Sequence, residues 1–88
     1  MNWQVDWAPD ALDALATFWL LSSDRNAVSL AQARIDQWLR TNPHAHAEAT
    51  AEGLFVVAFS PLRVVIEIDD EKMAIRVVGV SWLLEQLP

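Results

Sequence analysis

The chain has 88 residues, the size of one small domain, and 53% of them are hydrophobic, which is enough to build a core. Twelve Asp and Glu residues against six Lys and Arg residues give a formal net charge of −6. This charge argues against direct nucleic-acid binding, because phosphates are bound by clustered cations. The absence of cysteine excludes a disulfide scaffold and thiol chemistry, and it fits a reducing cytoplasm.

The sequence also lacks the signals of secretion and membrane insertion. No apolar run approaches the length of a membrane span, and the first residues have neither the basic nor the apolar region of a signal peptide. We therefore expect a single cytoplasmic domain, residues 1–88, with no membrane partner.

The first half of the chain predicts a strand followed by two helices. Residues 3–7 alternate between apolar and polar side chains, which is typical of a half-buried strand. Pro9 opens a first helix with a broad apolar stripe, and Asp24 is placed to cap a second helix. Asp36 and Arg40 stand on that second helix at the spacing that favours an ion pair.

The polar stretch of residues 43–52 has no hydrophobic period and is either a loop or a helical turn. His44 and His46 have a spacing that a metal pair permits, but no third ligand is apparent, and we predict no metal site. Glu48 and Glu52 precede the next strand, and we interpret them as solvated residues rather than as a general base.

Three apolar, β-branched runs follow, each of strand length: Leu54–Phe59, Leu62–Ile68 and Met73–Val80. Tight two-residue turns at Ser60-Pro61 and Asp70-Glu71 would set their register and give the sheet one wholly apolar face. Two helices can cover that face. The predicted fold is a two-layer α+β domain in the order strand-helix-helix-strand-strand-strand, with two helices packed on one face of an antiparallel sheet.

The second face of the predicted sheet has no segment large enough to cover it. In the two-residue register Arg76 lies diagonal to both Arg63 and Glu67. This leaves two interpretations open: an anion site formed by the arginines, or their neutralisation by Glu67. The apolar residues mixed among these charges indicate a protein partner. The predicted partner-binding residues are Val56, Ala58, Val65, Val78, Val80 and Trp82.

Trp82 is expected to lie past the last strand, on the uncovered side of the sheet. There it would serve either as an interface anchor or as a cap on the sheet edge. The following residues, 83–87, would form a short helix at that edge. The other tryptophans, Trp19 and Trp38 among them, stand at core-like positions.

Four short motifs, in this order of elements, carry a resemblance to a known family. They are Trp-Ala-Pro-Asp-Ala at 7–11, Leu-x-x-x-Pro at 39–43, Pro-Leu-Arg-Val-Val-Ile-Glu-Ile-Asp at 61–69 and Ile-Arg-Val-Val-Gly-Val at 75–80. The chain resembles the bacterial toxin superfamily that includes RelE-type messenger-RNA interferases and ParE-type gyrase poisons. The resemblance extends from Trp7 to Trp82 and implies the RelE/ParE-like fold.

The resemblance implies a toxin-like component of a toxin–antitoxin module, with a cognate antitoxin on the open sheet face and gyrase or the ribosome as target. No cofactor is implied. In the nuclease branch, basic residues on the central strands bind the scissile phosphate, and Arg63 matches the strand arginine, with Arg76 as a second catalytic candidate. Other matching positions carry residues that the nuclease branch does not use: Leu54, Phe55, Ile66, Ser81 and Trp82.

Three functions therefore remain open from the sequence. The first is a toxin-like protein that acts by binding, with most of the nuclease set absent. The second is an active endoribonuclease, an mRNA interferase of the same fold. The third is a non-toxic interaction module that forms homodimers through the open face.

Overall fold

The computed structural model describes residues 2–82 and contains the predicted elements together with short additions. A 3-10 turn, Ala51–Gly53, lies between the second and third strands. The predicted helix at 83–87 lies outside the described residues. The other elements are β1 (Gln4–Trp7), α1 (Pro9–Leu21), α2 (Arg25–Thr41), α3 (Pro43–His46), β2 (Glu48–Ala49), β3 (Phe55–Phe59), β4 (Leu62–Asp69) and β5 (Ala74–Trp82).

The five strands form one sheet in the order β1-β5-β4-β3-β2. The pairs β2–β3, β3–β4 and β4–β5 are antiparallel, as predicted, whereas β1 pairs with β5 in parallel. Parallel pairing is possible here because α1 and α2 lie between β1 and the hairpins along the chain and provide the long crossover that it requires. The helices in residues 2–82 do not combine the length and apolar character of a membrane span.

The helix signals in the sequence act as predicted. Pro9 stands at the start of α1. The Asp24 carboxylate accepts a hydrogen bond of 3.0 Å from the Ala27 backbone N–H and so caps α2. Arg40 Nε lies 2.7 Å from Asp36 Oδ2, one turn back on the same helix.

The core lies between the sheet and the inner faces of α1 and α2. Four side chains of α2, at helical spacing, are buried against it: Val28, Ala31, Ile35 and Leu39. The buried strand residues alternate along β3, β4 and β5, namely Val57, Leu62, Val64, Ile66, Ile75 and Val77. The buried residues of the described chain include no polar or charged side chain.

Trp19 is not a core residue, contrary to the prediction. Its side chain is 40% exposed. Its ring N–H donates to Ser29 Oγ at 3.1 Å, and the Arg25 guanidinium lies 4.7 Å from its ring centroid. α1 is apolar on both sides, and because the sheet covers only one of them, Trp19 packs over α2 at the surface.

The two hairpin turns have different lengths. The turn at Ser60-Pro61 is tight, as predicted, with Phe59 opposite Leu62. The turn between β4 and β5 comprises residues 70–73, since Asp69 pairs with Ala74. The predicted two-residue turn is therefore wrong. The Asp69 carboxylate accepts a 3.2 Å hydrogen bond from the Lys72 N–H inside this longer turn.

A β-bulge then shifts the register of β5 once more. Val65 pairs with Gly79 and Ile66 pairs with Val77, so Val78 has no partner in the ladder. After the bulge, Val80 and Trp82 pair with core-facing residues of β4 and pack against the core themselves.

Trp82 therefore lies on the helix-covered side of the sheet. Its ring centroid is 4.9 Å from that of Phe18 in α1. The prediction that Val80 and Trp82 lie on the open side is wrong, because the extra residue at Val78 reverses the alternation of the strand.

We expect Ile35→Ala to lower the free energy of unfolding by about 2–5 kcal/mol, because the side chain is fully buried and a cavity would remain. Leu30→Ala on the same helix is the matched control. That side chain is 55% exposed, and its loss should cost under about 0.5 kcal/mol. Urea unfolding of both variants measures the difference, and equal losses would contradict the described orientation of α2.

Trp82→Ala should destabilise the chain, without any partner, by about 2 kcal/mol, because the ring packs on Phe18 and the core. Val56→Ala, on the opposite face of the sheet, should cost under about 1 kcal/mol. Thermal and urea unfolding compare the two. A negligible effect of Trp82→Ala would support an interface anchor instead.

Candidate partner-binding face

The side of the sheet opposite α1 and α2 is here called the open face. Its residues follow from the strand pairings, since side chains alternate between the two faces and directly paired residues share one. From β1 to β2 they are Gln4, Asp6, Ala74, Arg76, Gly79, Ser81, Asp69, Glu67, Val65, Arg63, Ala58, Val56 and Glu48.

Three of the six predicted partner-binding residues lie on the open face: Val56, Ala58 and Val65. Val78 occupies the bulge, and the remaining two residues belong to the helix-covered side, as described above. The glycine at position 79 was the available signal, because glycine within a strand pattern often marks a bulge.

The two arginines of the open face do not meet. Arg63 lies between Ala58 on β3 and Ser81 on β5. Arg76 pairs with Glu67, four residues further along β4, a separation of about 13 Å at the usual strand rise. The predicted diagonal contact between Arg63 and Arg76 is therefore wrong, because the longer turn moves Arg76 along the ladder.

Arg76 is instead flanked by carboxylates. Asp6 on β1 and Glu67 on β4 are its direct neighbours on either side. Within residues 2–82, the carboxylates with a basic side-chain nitrogen within 4.0 Å are those of Asp36, beside Arg40, and Asp70, beside His44, so neither Asp6 nor Glu67 is in contact with Arg76. Arg76, Asp6 and Glu67 are therefore neighbouring exposed charges that form no ion pair with one another.

The open face has two chemically different ends. The apolar end comprises Val56, Ala58, Val65 and Gly79, with Arg63 at its margin. Gly79 places no side chain opposite Val65, which leaves one flank of that valine uncovered.

The acidic end lies around the β4–β5 turn and the edge strand β1. It is an open groove of about 590 Å³, and its charged lining comprises Asp6, Glu67, Asp69, Asp70, Glu71 and Arg76. Five carboxylates and one guanidinium leave this groove with four net negative charges. Each of these six residues is exposed to solvent.

The two histidines have separate partners. His44 Nε2 lies 2.7 Å from Asp70 Oδ1 and connects α3 to the β4–β5 turn, a contact that no pattern in the sequence indicates. The His46 ring stacks on Trp38 with centroids 4.0 Å apart. In the part of the chain that the structure describes, no group of three or more His, Asp or Glu residues is arranged to hold a metal ion.

The two glutamates of the polar stretch at 43–52 lie on different elements. Glu48 belongs to the short edge strand β2, opposite Val56. Glu52 lies in the 3-10 turn with φ 63°, a left-handed conformation, and is exposed. The structure does not bring either of them next to Arg76.

No protein-family model matches the chain, and no curated protein matches it significantly. Solved structures do match. A chain of the toxin–antitoxin complex RelBE2 from Mycobacterium tuberculosis superposes with a TM-score of 0.72 at 17% identity, covering 94% of this chain and 93% of that one. A double mutant of the E. coli toxin RelE in the free state gives 0.68 at 18% identity, with 98% and 88% covered.

The archaeal RelE–RelB complex from Pyrococcus horikoshii gives a TM-score of 0.65 at 12% identity, covering 93% of this chain and 96% of that one. At such identities the comparisons establish the fold. The predicted resemblance is thereby confirmed at the level of architecture. The chain has the fold of RelE-type toxins.

Proposed function

We propose that this chain is the toxin-like component of a toxin–antitoxin pair and that it binds a cognate antitoxin through the open face. The observation that carries the proposal is a sheet that helices cover on one side, with valines and small residues on the other side that no helix of residues 2–82 covers. The matching RelBE2 structure is a toxin–antitoxin complex, and the archaeal match is a RelE–RelB complex, which supports a partner of this kind.

The apolar end is suited to a polypeptide partner. Val56 and Val65 are neighbours on β3 and β4, and both are only half-buried within the chain. Burial of apolar surface contributes about 25 cal/mol for each Å² removed from water. A flat strip of small and β-branched side chains offers that area to a segment lying along the sheet.

The charges of the open face favour binding over RNA cleavage. Arg63 has no second cation beside it, since its strand neighbours are Ala58 and Ser81. Arg76 stands between two carboxylates, and the acidic end would repel RNA phosphates. An mRNA interferase needs clustered positive charge where phosphate is bound.

The proposal predicts that lysines on the apolar end abolish partner binding. Val56→Lys/Val65→Lys should prevent co-purification with the antitoxin that the proposal expects to be encoded beside this gene, because charged lysine side chains would have to lose their water against an apolar partner surface. Leu20→Lys/Leu21→Lys is the matched control, since these side chains on α1 are 61% and 77% exposed.

Circular dichroism and thermal unfolding would show that both double variants fold. Retained binding by the Val56/Val65 variant, or equal loss in both variants, would contradict the open face as the interface. A stable dimer of the isolated chain, broken by the same valine substitutions, would support the homodimeric alternative.

Arg63→Ala separates binding from cleavage. We expect the variant to bind the partner within about twofold of the wild type, because one charge at the margin of the apolar end contributes little. In a growth assay of the chain alone it should behave as the wild type does. Growth arrest and message cleavage that both disappear in the variant would support the interferase alternative.

A further inference from the structure

The acidic end extends the open face beyond the strip of valines. We infer that the segment which covers this face carries a cluster of lysine or arginine side chains over the acidic end. This inference rests on the proposed function, because it concerns the same face and the same partner, and it adds the chemistry and direction of that partner.

The carboxylates of the acidic end are spread out rather than convergent. Asp6 on β1 and Glu67 on β4 lie on either side of β5, and adjacent strands are roughly 5 Å apart. Asp69 lies two residues beyond Glu67 on β4. Within residues 2–82 no group of carboxylates is arranged to hold a metal ion. Dispersed negative charges in an open groove fit several cations on a polypeptide better than one ion.

Covering the groove constrains what the partner can be. A carboxylate removed from water without a counter-charge is strongly destabilising, whereas a paired one is tolerated. Among the described residues that line the groove, Arg76 is the one cation and five residues carry carboxylates. A segment that passes over this end must therefore supply cations. An acidic segment would be repelled, and a wholly apolar one would desolvate the carboxylates without a counter-charge.

The spacing of the two ends gives the partner a direction. Val65 and Asp69 lie on the same face of β4, four residues apart, which is about 13 Å. A partner segment running along β4 would place its cations about four residues beyond its apolar contacts if extended. In a helix the same distance takes about nine residues.

Synthetic peptides test this directly on the intact chain. They share one apolar half of alanine, valine and leucine and end in a run of lysine, glutamine or glutamate. Fluorescence anisotropy measures the affinity, and amide chemical shifts of Ala74 and Gly79 report contact with the open face. We expect the lysine peptide to bind most tightly. Its affinity should fall as the salt concentration rises, because the charges are exposed.

Asp6→Asn/Glu67→Gln should weaken binding of the lysine peptide by about five- to tenfold, the loss of two exposed ion pairs. Asp10→Asn/Asp13→Asn is the matched control, since it removes two exposed carboxylates from α1, and it should weaken binding by less than about twofold. Equal weakening by both double variants would overturn the inference, because net charge alone would then explain the binding.

The remaining outcomes separate this inference from the proposed function. Equal binding of the lysine and glutamine peptides would overturn the acidic end as a recognition site while leaving the open face as an interface. Failure of every peptide would also overturn the inference. Co-purification of the neighbouring protein, with its dependence on Val56 and Val65, tests the proposed function independently.

Discussion

The pairing of β4 with β5 determines which side chains lie together on each face of the sheet. These strands lie at the centre of the sheet, and each has a neighbour on its other side. The four-residue turn at 70–73 and the bulge at Val78 together set which β5 residue lies opposite each residue of β4. Through this pairing Trp82 reaches the core, Arg76 lies beside Glu67, and Arg63 is left among neutral neighbours.

The bulge also explains why the open face is less apolar than an unbroken strand would make it. Without Val78 in the bulge, the alternation along β5 would place Val80 on the open side and glycine 79 in the core. The observed register instead uses Val80 and Trp82 to extend the core beneath α1. The bulge thus increases core packing and leaves a narrower apolar strip beside Val65 for a partner.

The hydrophobic pattern predicted the faces of the strands but not the length of the turn between β4 and β5. Side chains repeat with a period of two, so a slip of one residue would expose Ile66 and its core neighbours, and the pattern excludes it. A slip of two preserves both faces. Apolar periodicity therefore does not distinguish a two-residue from a four-residue turn. The observed longer turn contains a hydrogen bond from the Lys72 N–H to the Asp69 carboxylate, which that periodicity does not report.

The sequence pattern predicted which face of the sheet most candidate residues occupy, but it did not predict which of them are neighbours. Val56, Ala58 and Val65 stand before the bulge, where simple alternation holds, and their predicted placement was correct. Val80 and Trp82 stand after it, where one extra residue reverses the face. The predicted contact between Arg63 and Arg76 was wrong for the other reason, because it depended on the turn length.

In the complex that we propose, the two ends of the open face would contribute differently to recognition. Apolar contacts of a partner with Val56 and Val65 would supply affinity in any orientation, because burial is not directional. Charges act over a longer range, increase the rate of encounter and penalise the wrong orientation more than they strengthen the right one. A partner held by the apolar end alone could lie along the sheet in either sense. Four net negative charges at one end of the sheet would distinguish the two senses for a partner that carries cations.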